Sequence, residues 1–163
     1  MLLNSCSANS QTKQSLSAGL YAGGFFHGGQ FGAKNGFNLG ADLEARTNKF
    51  GVYLNFTYNY SKKSEDLNNA NSEKGNVTLI EIYGGPRWYI GDIKKINGTI
   101  DAGLGFYRLP FEGNMGINFG LGFNYPLNNS LDISLKGKYH LFARDYVTAY
   151  GGLYLGLRYY FVK

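Results

Sequence analysis

Two histidines, His27 and His140, are the side chains best suited to acid–base work at neutral pH. A serine nucleophile would need one of them within hydrogen-bond reach, with an acid to orient it. His140 follows Asp132 and Ser134 by eight and six residues, in the same two-residue phase. Along an extended strand that separation is roughly 20 Å or more, too far for direct contact. Metal binding has less support. No His or Cys pair stands at ligand spacing, and Glu65-Asp66 reads as solvated loop charge. Gly151-Gly152 and the many Gly-x-Gly pairs precede no crossover helix, so they are strand glycines and not phosphate loops. No metal or cofactor and no enzymatic activity are expected.

The remaining chemistry-bearing residues are charges placed inside strongly alternating stretches. MGINFGLGFNY (residues 115–125) sets Met115, Ile117, Phe119, Leu121, Phe123 and Tyr125 against Gly and Asn. A period of two marks a strand with chemically opposite faces. The pattern recurs through Phe37–Arg46, Gly51–Asn59, Ile80–Ile90, Thr99–Tyr107, Leu131–Leu141 and Gly152–Phe161, and more weakly through SLSAGLYAGGFFH. About eight strands of roughly 10 residues follow, with no helix between them. Such a meander closes into an up-and-down barrel that leaves no exposed edge.

Composition agrees. Among 163 residues, Gly (24), Tyr (14) and Phe (12) are abundant; Gly is a poor helix former and the aromatics favour strands. No run reaches the roughly 20 apolar residues of a membrane helix, but a membrane strand needs only about 10, half of them polar. The net charge is +5, yet the basic residues are scattered, with pairs only at Lys62-Lys63 and Lys94-Lys95, so nucleic acid is not an expected partner. The single cysteine, Cys6, excludes an intrachain disulfide. MLLNSCSANSQTKQ lacks the charged and apolar regions of a complete signal peptide. Residues 1–14 therefore read as a polar leader or remnant of an export segment, with lipidation of Cys6 left open, and 15–163 as the barrel domain.

Either of two barrels fits the alternation. A soluble, lipocalin-like barrel hides its apolar face around an apolar ligand, whereas a membrane barrel turns that face to lipid. Three features favour the second. Glycines share the polar face with long charged side chains, as a narrow lumen requires. That face also carries both signs: Asp42, Glu44, Glu81 and Asp101 against Arg46, Arg87, Lys136, Lys138 and Arg158. Enclosed charges must pair, so these nine are expected to form a structural lumen network. Finally, aromatics gather near strand ends, at Tyr58, Tyr60, Trp88, Tyr89, Tyr146, Tyr150 and Tyr159–Phe161, where an interface would favour them. Connections alternate between tight (Thr47–Lys49, Gly91–Lys95, Pro126–Ser130) and longer (His27–Asn35, Ser61–Asn76, Arg108–Asn114, Ala143–Thr148), the asymmetry of outer-membrane barrels. Pro86, within YGGPRWYI, cannot donate to a ladder and leaves a bulge or a kink open.

FGLGFNYPLNNSLDISLKGKYHLF and AYGGLYLGLRYYFVK resemble the last hairpins of the small eight-stranded outer-membrane barrels, the OmpA/OmpX-like β-barrel family, and the resemblance runs from about Ser15 onward. It implies an eight-stranded antiparallel transmembrane β-barrel integral to a bacterial outer membrane. Its surroundings would be lipopolysaccharide and phospholipid, its insertion would use the outer-membrane assembly machinery, and it would work as a monomer. Its role would be structural, with surface loops serving adhesion or envelope integrity. Such proteins usually end in an aromatic, whereas here Val162 and Lys163 follow Phe161. Some relatives modify lipid A, but the deacylase's histidine–serine pair two positions apart is absent, since Phe142 stands where that serine would. Eight strands leave a lumen filled by side chains, so only a small or gated conductance is compatible. Replacing Leu121 or Leu135 by Arg should destabilise a lipid-facing wall by about 2–4 kcal/mol near the midplane, measured by urea unfolding in micelles, whereas tolerance of both changes would refute that orientation.

Overall fold

The computed structural model describes residues 14–27, 35–62, 75–92, 95–109, 113–143 and 147–162. Of the leader read as residues 1–14, residues 1–13 lie outside the described residues, as does most of the Ser61–Asn76 connection, while Gln14 already belongs to the first strand because it pairs with Thr47. Eight strands follow one another: β1 (Gln14–His27), β2 (Gly36–Thr47), β3 (Phe50–Lys62), β4 (Asn76–Ile90), β5 (Asn97–Arg108), β6 (Gly113–Pro126), β7 (Leu131–Ala143) and β8 (Val147–Val162). Each pairs antiparallel with the next, and β8 pairs with β1 to close the barrel. There is no helix among the described residues.

Register fixes the barrel's shape. From Gln14 the paired positions run through Thr47, Phe50, Trp88, Ile100, Leu121, Gly137 and Leu153, and return to β1 at Gly24. The circuit closes ten residues along the strand, a shear of ten for eight strands. With a rise of about 3.3 Å and a strand spacing of about 4.8 Å, that shear tilts the strands by about 40° and gives a backbone radius of about 8 Å. The strands are 12 to 16 residues long, not the roughly ten read from the sequence. Tilt is the reason: ten residues inclined at about 40° rise only about 25 Å, the height of an apolar band, and the surplus projects beyond it.

Tight turns share one rim. Asn48 and Lys49 join β2 to β3, with Asn48 in the left-handed region (φ 46°), which its side chain tolerates better than most. Between β6 and β7, the amides of Leu127 and Asn128 donate to the Leu131 carbonyl at 2.8 and 3.2 Å, and the Ser130 amide donates to Asn128 Oδ1 at 2.8 Å. On the opposite rim the β1–β2 and β3–β4 connections are longer, at 8 and 13 residues, but those read as long at Arg108–Asn114 and Ala143–Thr148 shrink to 4 and 3 residues, fewer than the 6 between β4 and β5, because the flanking strands extend into them.

Pro86 produces neither an inserted residue nor a change of register. β4 stays paired with β3 through Val52–Pro86, while on the β5 side pairing stops at Gly84–Leu104 and resumes in the same register at Arg87–Asp101. The missing N–H thus leaves a gap in one ladder and no bulge. A bulge occurs elsewhere. On β8, Leu16 faces Val162 and Ser17 faces Tyr160, so Phe161 is the extra residue at the closing seam.

Parity decides which solvent each side chain meets. Leu20 is 70% exposed and Leu104 67%, whereas Glu81, Arg87 and His140 are 0% exposed. Apolar residues therefore line the outside and polar ones the inside, the inverse of a soluble ligand-binding barrel. Parity also corrects the aromatic reading. Tyr58, Trp88, Tyr159 and Phe161 face outward, but Tyr89, Tyr150 and Tyr160 are buried in the lumen, and Tyr146 lies outside the described residues. Position near a strand end did not distinguish them, because consecutive strand residues take opposite faces.

Small residues keep the interior closed. A Cβ on Gly103 would sit 2.7 Å from both the Gly84 carbonyl oxygen and Tyr53 Oη, whereas one on Gly137, on the outer wall, would meet nothing within 4 Å. Gly103→Ala should therefore lower unfolding stability by about 1–3 kcal/mol, and Gly137→Ala should be close to neutral, both read from urea midpoints in micelles.

Candidate functional site

The lumen concentrates this chain's titratable chemistry. β2 contributes Asp42 and Glu44, β4 Arg87, β5 Asp101, β7 Lys136 and Lys138, and β8 Arg158, and all seven are buried. They form one continuous ion-pair network. Asp42 Oδ2 meets Lys136 Nζ at 3.0 Å and Arg87 Nη1 at 3.6 Å, and it also accepts from Arg158. Glu44 Oε2 meets Arg158 Nη1 at 2.6 Å and also pairs with Arg87. Asp101 accepts from Arg87 Nε at 3.2 Å and from Lys138 Nζ at 2.7 Å. Arg87 thus touches all three carboxylates.

The other two residues of the nine lie apart. Arg46 donates through Nε to the Asn48 carbonyl at 2.8 Å and lies 3.5 Å over the Tyr89 ring, tying the lumen to the β2–β3 turn. Glu81 sits toward the long-loop end, where it accepts from Asn59, and its Oε2 lies 3.6 Å from His140 Nδ1. Residues of this face that the sequence reading did not assign complete the network. Tyr89 donates to Glu44, and Tyr53 donates to Asn118 at 2.9 Å beneath Lys138 and Arg87. Ser17 accepts from Arg158 at 2.9 Å, and Tyr160 donates to Asp132 at 2.7 Å. Their signal was present in the sequence: each shares strand parity with the charges.

His140 is enclosed. Its Nδ1 is 3.0 Å from the Tyr107 hydroxyl, and its ring stacks on Tyr150 with centroids 4.6 Å apart. Asp132 is bound near the opposite rim, and Ser134 is buried on the same strand as both. The three are not brought together. The His27 side chain lies outside the described residues. Beyond His140, toward the long loops, Phe25, Leu79, Tyr107, Leu109, Phe142 and Tyr150 pack into an apolar cluster. No group of three or more potential metal ligands occurs among the described residues.

Removing one partner from a buried network leaves the other charge unpaired, at a cost of about 3–5 kcal/mol. Arg158→Met should show part of that loss in urea unfolding, because Asp42 and Glu44 each lose one cation while Asp42 keeps Lys136 and Arg87 and Glu44 keeps Arg87. The double variant Lys138→Met/Asp101→Leu should lose less than the sum of its two single variants.

No family model matches the chain, and no curated protein matches it in sequence. Solved structures do match in fold. Neisserial surface protein A aligns over 90% of this chain and 96% of its own with a TM-score of 0.62 at 15% identity. The Yersinia pestis outer membrane protein Ail, in a phospholipid bilayer nanodisc, aligns over 89% and 99% with a TM-score of 0.52 at 19% identity. The outer membrane protein AlkL, in lipid bilayers, aligns over 94% and 92% with a TM-score of 0.51 at 12% identity. Strand number, closure, inverted faces and these likenesses agree: the chain has the fold of the small eight-stranded outer-membrane β-barrels.

Proposed function

We propose that this chain is an integral protein of a bacterial outer membrane, with a structural role and no catalytic activity. The observation that carries the reading is the pairing of faces. Large apolar side chains such as Leu20, Leu104, Met115 and Leu121 are exposed around the closed wall, while the charges are paired inside. Water is a poor solvent for such a wall, and lipid is a good one. The enclosure of His140 by Tyr107 and Tyr150 supports the non-enzymatic part, as does its separation from Asp132. The ion-pair network and the apolar cluster above it fill the lumen, which favours a scaffold over a diffusion pore. The long-loop rim faces the cell exterior in this reading, and its loops are the elements available for adhesion or envelope contacts. The chain works as a monomer inserted by the outer-membrane assembly machinery, among lipopolysaccharide and phospholipid.

Refolding from urea, with and without micelles, tests the reading. A β-rich circular dichroism spectrum and a mobility difference between unheated and boiled samples should appear only with micelles. A folded, monodisperse protein in plain buffer would reject the membrane assignment. Separately, His140→Ala should leave lipid A acylation in cells unchanged, and an altered acyl pattern would restore the enzyme reading.

A further inference from the structure

Two aromatic rings on β1 frame a slot in the long-loop half of the lumen. Tyr21 and Phe25 stand four residues apart on the inward face of β1, and both are buried. Each lies across a glycine of β2: a Cβ on Gly40 would collide with the Tyr21 ring, and one on Gly36 with the Phe25 ring. The Tyr21 hydroxyl reaches on to β3, where it is 2.6 Å from Thr57 Oγ1 and donates to the Phe56 carbonyl at 3.0 Å. Between the two rings, the inward position of β1 is Gly23, which has no side chain, and that of β2 is Asn38.

Register brings further polar groups to this row. Tyr154 of β8 pairs with Gly23, Gly23 with Asn38, and Asn38 with Asn59 of β3, so four adjoining strands meet here. Tyr154 packs edge-on against Tyr21, with ring centroids 5.3 Å apart. Asn59 Nδ2 donates to the Leu79 carbonyl at 3.2 Å and also to Glu81, which fixes the orientation of its amide. Asn38 and Asn59 are 0% exposed and Tyr154 is 2% exposed. Among the described residues, neither Oδ1 nor Nδ2 of Asn38 has a hydrogen-bond partner, and neither do Asn59 Oδ1 and the Tyr154 hydroxyl. Unpaired polar groups away from bulk water are unfavourable, and folded interiors pair nearly all of them. A direct bond from Asn38 Nδ2 to Asn59 Oδ1 would still leave Asn38 Oδ1 and the Tyr154 hydroxyl.

We propose that the slot binds a small cluster of water molecules, anchored on the Asn38 amide and bridging to Asn59 Oδ1 and the Tyr154 hydroxyl. The inference rests on the barrel's fold and register and not on its membrane role. The lining atoms carry no formal charge and include both donors and acceptors, which suits a small neutral molecule that is itself both. A buried water makes about three hydrogen bonds to otherwise unpaired groups, and such groups converge here from three strands. The bridge has a structural consequence. It ties β8 to β2 and β3 over the bare backbone of Gly23, at the pairing that closes the barrel. In the other half of the lumen Arg158 of β8 makes the same connection to Asp42 and Glu44 of β2 by ion pairs. Water does for the ring-packed half what charge does there.

The test uses the full chain, isotope-labelled and refolded in micelles, with the Asn38 side-chain amide assigned through bonds. Its protons should give cross-peaks to water in both laboratory-frame and rotating-frame Overhauser spectra, with the rotating-frame sign of dipolar contact and not of proton exchange. Asn38→Leu and Tyr154→Phe should each lower the urea midpoint, because each strips the bridge from the groups that remain. The double variant should lose less than the sum of the two, since both changes remove the same water. Absence of water cross-peaks at Asn38, in a chain that keeps its heat-dependent mobility shift, would overturn the proposal. So would a raised midpoint for Asn38→Leu, the mark of a dry slot that an apolar side chain fills better, or strictly additive losses in the double variant.

Discussion

A carboxylate inside this barrel has no bulk water to accept its charge, so the lumen's stability depends on Asp42, Glu44 and Asp101 each meeting a cation from another strand. The cations come from β4, β7 and β8 and the carboxylates from β2 and β5, so no pair runs along one strand: Arg87 and Asp101 face each other on neighbouring β4 and β5, and the other pairs join strands that are not neighbours. Asp42 and Lys136 are 94 residues apart in the chain, and Glu44 and Arg158 are 114 apart. These contacts form only when the barrel has closed. The network thus couples the seam between β8 and β1 to the opposite wall.

Space inside the wall is the matching constraint. A backbone radius of about 8 Å leaves room for side chains but not for a second layer of them. Arg87 and Tyr53 therefore reach toward the axis only where their neighbours are small. Gly120 illustrates this, because a Cβ there would collide with the Asp101 carboxylate. Gly103 does the same for Tyr53. Small residues opposite large polar ones let a narrow lumen hold seven paired charges. The long-loop half solves the same problem differently, with His140 stacked on Tyr150 and Tyr107 stacked on Phe142. One half of the lumen is held by charge and the other by rings.

The outside obeys a simpler rule, since one lipid-facing wall needs no partners within the chain. The closing bulge at Phe161 and the ladder gap at Pro86 are local departures that both leave the inward-outward alternation intact. The lumen network survives them because neither shifts a charged residue to the other face.

The sequence by itself determined the two faces. Strict alternation assigns Leu121 outward and Lys136 inward without any structure, because a pleated strand offers only two directions. It also determined strand number, the two long connections β1–β2 and β3–β4, and which charges share the lumen. Closure and register decided the rest. Which cation meets which carboxylate depends on the shear of ten, and shear is a property of the whole circuit that no single strand encodes. The same geometry set Arg46 and Glu81 outside the central network, sent Tyr89 and Tyr160 inward while Trp88 and Tyr159 faced out, and turned Pro86 into a gap. Local pattern selects a face. Only the closed sheet, with its tilt, brings residues a hundred positions apart to the same depth and across the lumen from one another.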